Sequence, residues 1–231
     1  MLISPVPMEN KTVEKEAEVP YVEGLRNMDD AGLLSAVEER CAANPIAELN
    51  WPEAFPYCPE ATFRVAHDGK CLAVVYHVKG RDLRAVGLED NSKVWQDSCC
   101  ECFLKTSDGE YMNFEMNCIG SLLVEKGAGR GDRCFLPDDA VRSIRRYHSL
   151  EHKTYDIAGG CFEWTLALLI PFELLGYDPA HLPQTIGANF YKCGDLTATP
   201  HYLSWNPVRT AVPDFHRPEF FGVLKLEAVN N

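Results

Sequence analysis

Residues 94–120 hold the densest set of groups in the chain that could do chemistry. They read Val-Trp-Gln-Asp-Ser-Cys-Cys-Glu-Cys-Phe-Leu, a turn at Ser107-Asp108-Gly109, and then Tyr-Met-Asn-Phe-Glu-Met-Asn-Cys-Ile-Gly. The pattern predicts a β-hairpin. From Tyr111 to Cys118 the alternation is unbroken, so Met112, Phe114, Met116 and Cys118 point one way and Tyr111, Asn113, Glu115 and Asn117 the other. One face reads as core. The other sets a carboxylate between two carboxamides on a strand stiff enough to fix their geometry, which suits recognition of a polar ligand. A half-buried antiparallel strand with no ligand alternates the same way, and that reading stays open on this stretch alone.

The Cys99-Cys100-Glu101-Cys102 run invites a metal test. Successive strand residues face opposite sides, so of the central thiols only Cys100 and Cys102 share a face, roughly 7 Å apart, and a strand offers no knuckle to fold around zinc. The expectation is no metal there.

Two later segments carry similar chemistry. Asn189-Phe-Tyr-Lys-Cys-Gly-Asp195 alternates, with Asn189 and Tyr191 on one face, Phe190 opposite, and Lys192 and Asp195 expected outward at a closing turn. His201-Tyr-Leu-Ser-Trp-Asn-Pro207 and Asp214-Phe-His-Arg-Pro-Glu-Phe-Phe-Gly222 then bring aromatics, amides and an arginine beside the last strand. Sugars bind through this mixture, because a ring stacks on the C–H face of a pyranose while amide, carboxylate and guanidinium groups take the hydroxyls.

The elements that must hold these residues are short strands. Runs at 61–67 and 71–78 flank the turn Asp68-Gly69-Lys70, and further strands are expected at 83–86, 121–125, 161–170, 186–193, 201–205 and 220–226. Helices are expected over 29–41, over 137–147 behind Pro137 and Asp138/Asp139, and for a turn or two from Pro171 to Gly176. Residues 1–20 read as an extended or poorly ordered lead-in, 44–59 as an irregular aromatic loop whose rings cap a core or, as the second reading, line a ligand groove, and 127–131 as a flexible glycine turn. The fold class that results is all-β: one antiparallel β-sandwich with a few short peripheral helices. The domain division is 1–43, an N-terminal extension with a short helix, and 44–231, the sandwich.

Composition narrows the partners. The 231 residues carry a net charge of -12, which argues against nucleic acid or an anionic membrane, since either asks for a basic face. No apolar run is long enough to span a bilayer, and the first ten residues lack the basic and apolar regions of an export signal, although a trimmed secreted chain would read the same. Ten cysteines, several at core-facing strand positions, read as free thiols in a reducing, cytoplasmic compartment.

Taken in order, Trp95-x-Asp97-Ser98-x-x-Glu101-x-Phe103, Asn113-Phe-Glu-x-Asn117-x-x-Gly120, Asn189 to Asp195, Ser204-Trp205 and Phe215-His-Arg-Pro-x-Phe-Phe-Gly222 resemble the carbohydrate-binding module family 9-like proteins of the DOMON-like β-sandwiches. The resemblance spans about 50–227. It implies a cleft that holds a terminal sugar between two aromatic rings, a link to the breakdown of polysaccharides such as xylan, a glycoside hydrolase as partner, and structural calcium, for which no ligands carry over. Trp95 matches one stacking ring, Asn113, Glu115 and Asn117 the polar strand, and Phe215, His216 and Arg217 the closing segment, where the family's characterised modules have Trp. With Asn189, Lys192 and Trp205 these residues make up the expected sugar site. Two other functions fit the residues: a glycoside hydrolase with Glu101 and Glu115 as its carboxylate pair, and a haem-binding DOMON-like domain with Met112 or Met116 and a histidine as axial ligands.

Overall fold

A computed structural model describes residues 14–229. Two sheets pack face to face, as the period-two pattern predicts. The larger runs in the order Glu16–Val19, Gly222–Leu226, Thr185–Cys193, Cys99–Lys105, Tyr111–Asn117, Leu122–Gly127 and Cys134–Phe135, with Tyr202–Ser204 and Glu48–Leu49 branching from its Thr185–Cys193 strand. The smaller runs Arg145–His148, Phe162–Pro171, Cys71–Gly80, Glu60–His67 and Asn44–Pro45. All their pairings are antiparallel except that of Glu16–Val19 with Gly222–Leu226.

The main core fills the space between the sheets. Phe63, Val74, Tyr76, Leu166 and Leu168 meet Cys100, Cys102, Leu104, Met112, Phe114, Met116 and Phe190 there, so the apolar face read from the central hairpin is buried as expected. The outer face of the smaller sheet is covered by the helix Asp30–Arg40, which lays Leu33 and Val37 on Ala66, Ala73, Val75, Ala167 and Leu169. Asp29 caps that helix by accepting from the Gly32 amide at 2.8 Å.

Three expectations need correction. The lead-in over 1–20 lies outside the described residues up to 13, but Glu16–Val19 is an edge strand held parallel to Gly222–Leu226, with Ala17 and Val19 buried. The helix expected over 137–147 is short, Asp138–Ser143, because Arg145–His148 is taken as a strand by Phe162–Pro171. Cys161 lies exposed before its strand rather than inside it, while all ten cysteines are free as read.

The fourth difference matters most. Tyr111–Asn117 is buried at every position, on its polar face as on its apolar one. Loops fold over the outer face of the larger sheet and bring Trp51, Val94, Val208, Phe215 and Phe221 onto Phe103, Tyr111, Leu123 and Tyr191 as a second apolar cluster. The polar strand residues therefore lie under a lid of loops, and what each reaches depends on where the lid is open.

Candidate functional site

The lid is open at one place. A cleft of about 610 Å³ has Glu101, Glu115, Glu125 and Cys193 at its floor, the rings of Phe55, Trp95, Tyr202, Phe215 and His216 in its walls, and Arg130, Arg133, Asp195 and Asp214 around them. A larger groove of about 1090 Å³ lies between Arg26, the 67–71 turn and the 178–184 loop, but its only aromatic rings are His67, bonded to the Glu227 carbonyl, and His181, bonded to Asp178. Convergent rings with a few polar groups mark the smaller cleft as the better binding site.

Register sets the floor. Glu101 pairs directly with Glu115 across the hairpin, and Cys99 and Tyr191 sit on the same face, Cys99 opposite Cys193 and Tyr191 opposite Glu101. Asn113 stands beside Glu115, donating to Glu115 Oε1 at 2.8 Å and to Glu125 Oε2 at 3.3 Å. Arg133 donates to Asn113 Oδ1 and to the Glu125 carbonyl, and its guanidinium lies 4.3 Å over the Tyr111 ring. Two buried groups of this network have no hydrogen-bond partner, Glu115 Oε2 and Arg133 Nε, although Arg133 Nε is 3.4 Å from the Glu125 carboxylate. In the wall, Phe215 stacks on Tyr191 with centroids 4.1 Å apart, and Phe55 meets Tyr202 edge-on at 4.7 Å.

Burial dominates the electrostatics. It pushes the Glu115 carboxyl up to about 7, against the Asn113 hydrogen bond that holds it down. Glu101 is raised well above the usual carboxylate range by burial first, then by Cys193 and Glu115. Asp195 is raised to about 6, again by burial. His216 is depressed to about 3 by burial and by Arg133 and Arg130, so its imidazole is neutral beside the Tyr111 hydroxyl, 3.0 Å from Nδ1.

Of the ten residues expected at the site, Trp95, Glu115, Phe215 and His216 line the cleft, and Asn113 stands directly behind its floor. The other five do not. Asn117 uses its amide to lock the turn that follows it, donating to the Gly87 carbonyl at 2.8 Å and Asp97 Oδ2 at 3.0 Å and accepting from the Ser121 amide at 3.0 Å. Asn189 spends every hydrogen-bonding position on the backbone of Phe190, Asn206 and Phe220. Lys192 was expected outward but follows Phe190 by the period-two rule into the sandwich, where Nζ donates to the Cys193 carbonyl at 2.6 Å and sits 2.9 Å from His201 Nε2. Trp205 is a core ring, edge-on to Phe63 at 5.5 Å and to Phe190 at 5.8 Å. Arg217 is exposed and pairs with its neighbour Glu219.

Sequence reasoning missed Arg130, Arg133, Glu125, Tyr202 and Phe55 as site residues. The signal was there for the arginines: an acidic chain places two of them within Gly-Arg-Gly-Asp-Arg, read only as a flexible turn. Phe55 belongs to the loop read as a cap, and it both caps and lines. Among the described residues the one trio of His, Cys, Asp or Glu side chains that converges is Cys99, Glu101 and Cys193, whose two sulfurs do not suit calcium, an ion that takes oxygens.

A β-sandwich with a ring-lined polar cleft on one sheet is the class these features define. The family model described as carbohydrate-binding family 9 matches residues 32–226. A crystal structure of a Bacteroides uniformis protein assigned as carbohydrate-binding is 34% identical, with a TM-score of 0.84 over 93% of this chain and 100% of that one. The chain therefore belongs to carbohydrate-binding family 9. Family 9 modules from Caldicellulosiruptor kristjanssonii, solved with cellotriose and with glucose, share the fold at 14% identity and a TM-score of 0.57, each over 94% of this chain. No curated protein matches the chain.

Proposed function

We propose that the cleft beside Trp95 and Phe215 binds the end of a sugar or oligosaccharide without acting on it. The observation that carries this reading is the pair of unsatisfied buried groups, the acceptor Glu115 Oε2 and the donor Arg133 Nε, lining a cleft walled by five rings. A buried polar atom without a partner costs roughly 1–3 kcal/mol, and a ligand that both donates and accepts removes that cost twice. A sugar hydroxyl does both, and the rings take its C–H face.

The family supports the same ligand class, and its Caldicellulosiruptor members hold glucose and cellotriose. A link to polysaccharide breakdown and a glycoside hydrolase as working partner go with this reading. Ten free thiols, six of them buried, favour a reducing compartment.

Hydrolysis by Glu101 and Glu115 is the less favoured reading, because a catalytic pair needs its two carboxyls pushed apart, one ionised and one protonated, and here burial pushes both up. Haem ligation fares worse, since Met112 and Met116 are sealed in the core between the sheets.

Calorimetric titration with a panel that includes glucose, cellotriose and xylo-oligosaccharides tests the proposal. Binding is expected, and Trp95→Ala should weaken it by about 10-fold, the worth of one stacking ring. No binding across the panel, or release of reducing ends on prolonged incubation, would overturn it.

A further inference from the structure

The floor of the same cleft holds a second constellation, of thiols and a carboxyl. Cys99 Sγ, a Glu101 carboxylate oxygen and Cys193 Sγ lie within 4.8 Å of one another, all three side chains buried. Register builds the cluster: Cys99 and Glu101 are two apart on one strand and so share a face, and Cys193 stands directly opposite Cys99 on the next strand. The thiol of Cys193 is 3.0 Å from Glu101 Oε1. Glu101 is 2% exposed, and neither it nor Glu115 forms an ion pair with a described lysine, arginine or histidine. A carboxyl sealed in this way, with a thiol as its side-chain partner, can ionise only against a cation brought to it.

We propose that Cys99, Glu101 and Cys193 bind a zinc ion at the floor of the cleft, with the fourth coordination position open to the cleft. Zinc takes sulfur at about 2.3 Å and carboxylate oxygen at about 2.0–2.2 Å in a tetrahedron, so its ligand atoms stand roughly 3.5–3.8 Å apart. The cluster needs only a small contraction to reach that. Thiolate ligands select zinc over calcium or magnesium, which take oxygen. Three protein ligands and one open position is the arrangement of zinc sites that hold a water or a ligand oxygen.

A second observation points to that position. Cys193 and Glu101 line the cleft, and Glu115, directly across from Glu101, keeps its buried Oε2 without a partner. Oε2 would accept a hydrogen bond from a water or a ligand hydroxyl held at the fourth position. As the metal enters, each thiol and the Glu101 carboxyl give their protons to solvent and bind as thiolates and carboxylate. The inference stands apart from the sugar reading, because metal binding is measured with no sugar present.

The test uses the full chain with the exposed Cys58, Cys134 and Cys161 changed to serine, reduced, stripped with a chelator, and titrated with Co²⁺ and then Zn²⁺. One Co²⁺ per chain is expected, with a thiolate-to-cobalt charge-transfer band that Zn²⁺ abolishes. Cys193→Ser should weaken Zn²⁺ binding by more than about 100-fold, beyond what a residue that merely orients a ligand is worth. Cys102→Ala, on the core face, should leave the band in place. Where circular dichroism shows Cys193→Ser unfolded, the near-isosteric Glu101→Gln decides, with the same loss of affinity expected. A folded protein with no charge-transfer band, or a folded Glu101→Gln that binds Zn²⁺ as tightly as the parent chain, would overturn the proposal.

Discussion

Two groups of buried polar residues lie under the same loops on the same sheet, and they differ in one respect. Asn189 and Asn117, on opposite sides of the Glu101–Glu115 row, meet every demand from within the chain: Asn189 ties the Thr185–Cys193 strand to Asn206 and Phe220, and Asn117 ties its hairpin to Gly87 and Asp97. At the cleft, Glu115 and Glu101 are buried too, but Glu115 Oε2 and the neighbouring Arg133 Nε have no hydrogen-bond partner. The first arrangement holds loops down. The second leaves hydrogen-bonding capacity on the floor of a ring-lined cleft, where a ligand can use it.

The sharpest way to break this comparison is at Asn189. Replacing it by alanine orphans the Asn206 amide and removes one of the bonds to the Asn206 and Phe220 carbonyls, and should cost about 2–3 kcal/mol in a denaturant titration, with the sugar affinity of the remaining folded protein little changed. A folded, stable Asn189→Ala that has lost its ligand would reverse the roles assigned to the two groups.

Glu115→Ala should do the opposite. Sugar affinity is expected to fall by roughly 10- to 150-fold, the worth of a hydrogen bond to a charged group, with little loss of melting temperature. If the melt collapses while affinity per folded molecule survives, Glu115 belongs with the scaffold.

The same residue gives a smaller effect that sharpens the contrast. Its folded carboxyl titrates at about 7 against an ordinary value of 4.5, so the native state holds a proton that the unfolded chain releases first. That stability is fully present below pH 4.5 and is lost as pH rises through 7. In the presence of chelator, denaturant midpoints measured between pH 5 and 8 should decline with this contribution, and Glu115→Gln, neutral throughout, should flatten the slope. An identical slope in the variant would remove Glu115 as its source.

The least effect is expected at Arg217. Paired with Glu219 at the surface and away from the cleft, it should leave sugar affinity within about twofold when changed to alanine, as exposed ion pairs do. A tenfold loss by calorimetry would bring the closing segment back into the site.

Much of the fold could be read before the structure was in hand, because the signals are local. The alternation of Met112, Phe114, Met116 and Cys118, the turns at Gly69 and Gly109 with their positive φ, and the Asp29 cap each act within a few residues of where they are read. Period two likewise placed Glu115 beside Asn113 on the face that carries the cleft, and the same rule, followed one residue further, would have sent Lys192 inward. What no local pattern contained was which loop covers which part of that face. Asn189 and Glu115 are alike in sequence terms, polar residues alternating with aromatics or methionines. One lies under the loop that returns through Asn206 and Phe220, and the other under the gap between Trp95, Arg133 and Phe215. The approach of Cys193 to Cys99 and Glu101 is of the same kind, since those residues are more than ninety positions apart along the chain and meet only through strand register. Side-chain direction is fixed by neighbouring residues through the pleat, whereas satisfaction of a buried polar group is fixed by whatever distant backbone comes to rest against it, and that only the tertiary structure decided.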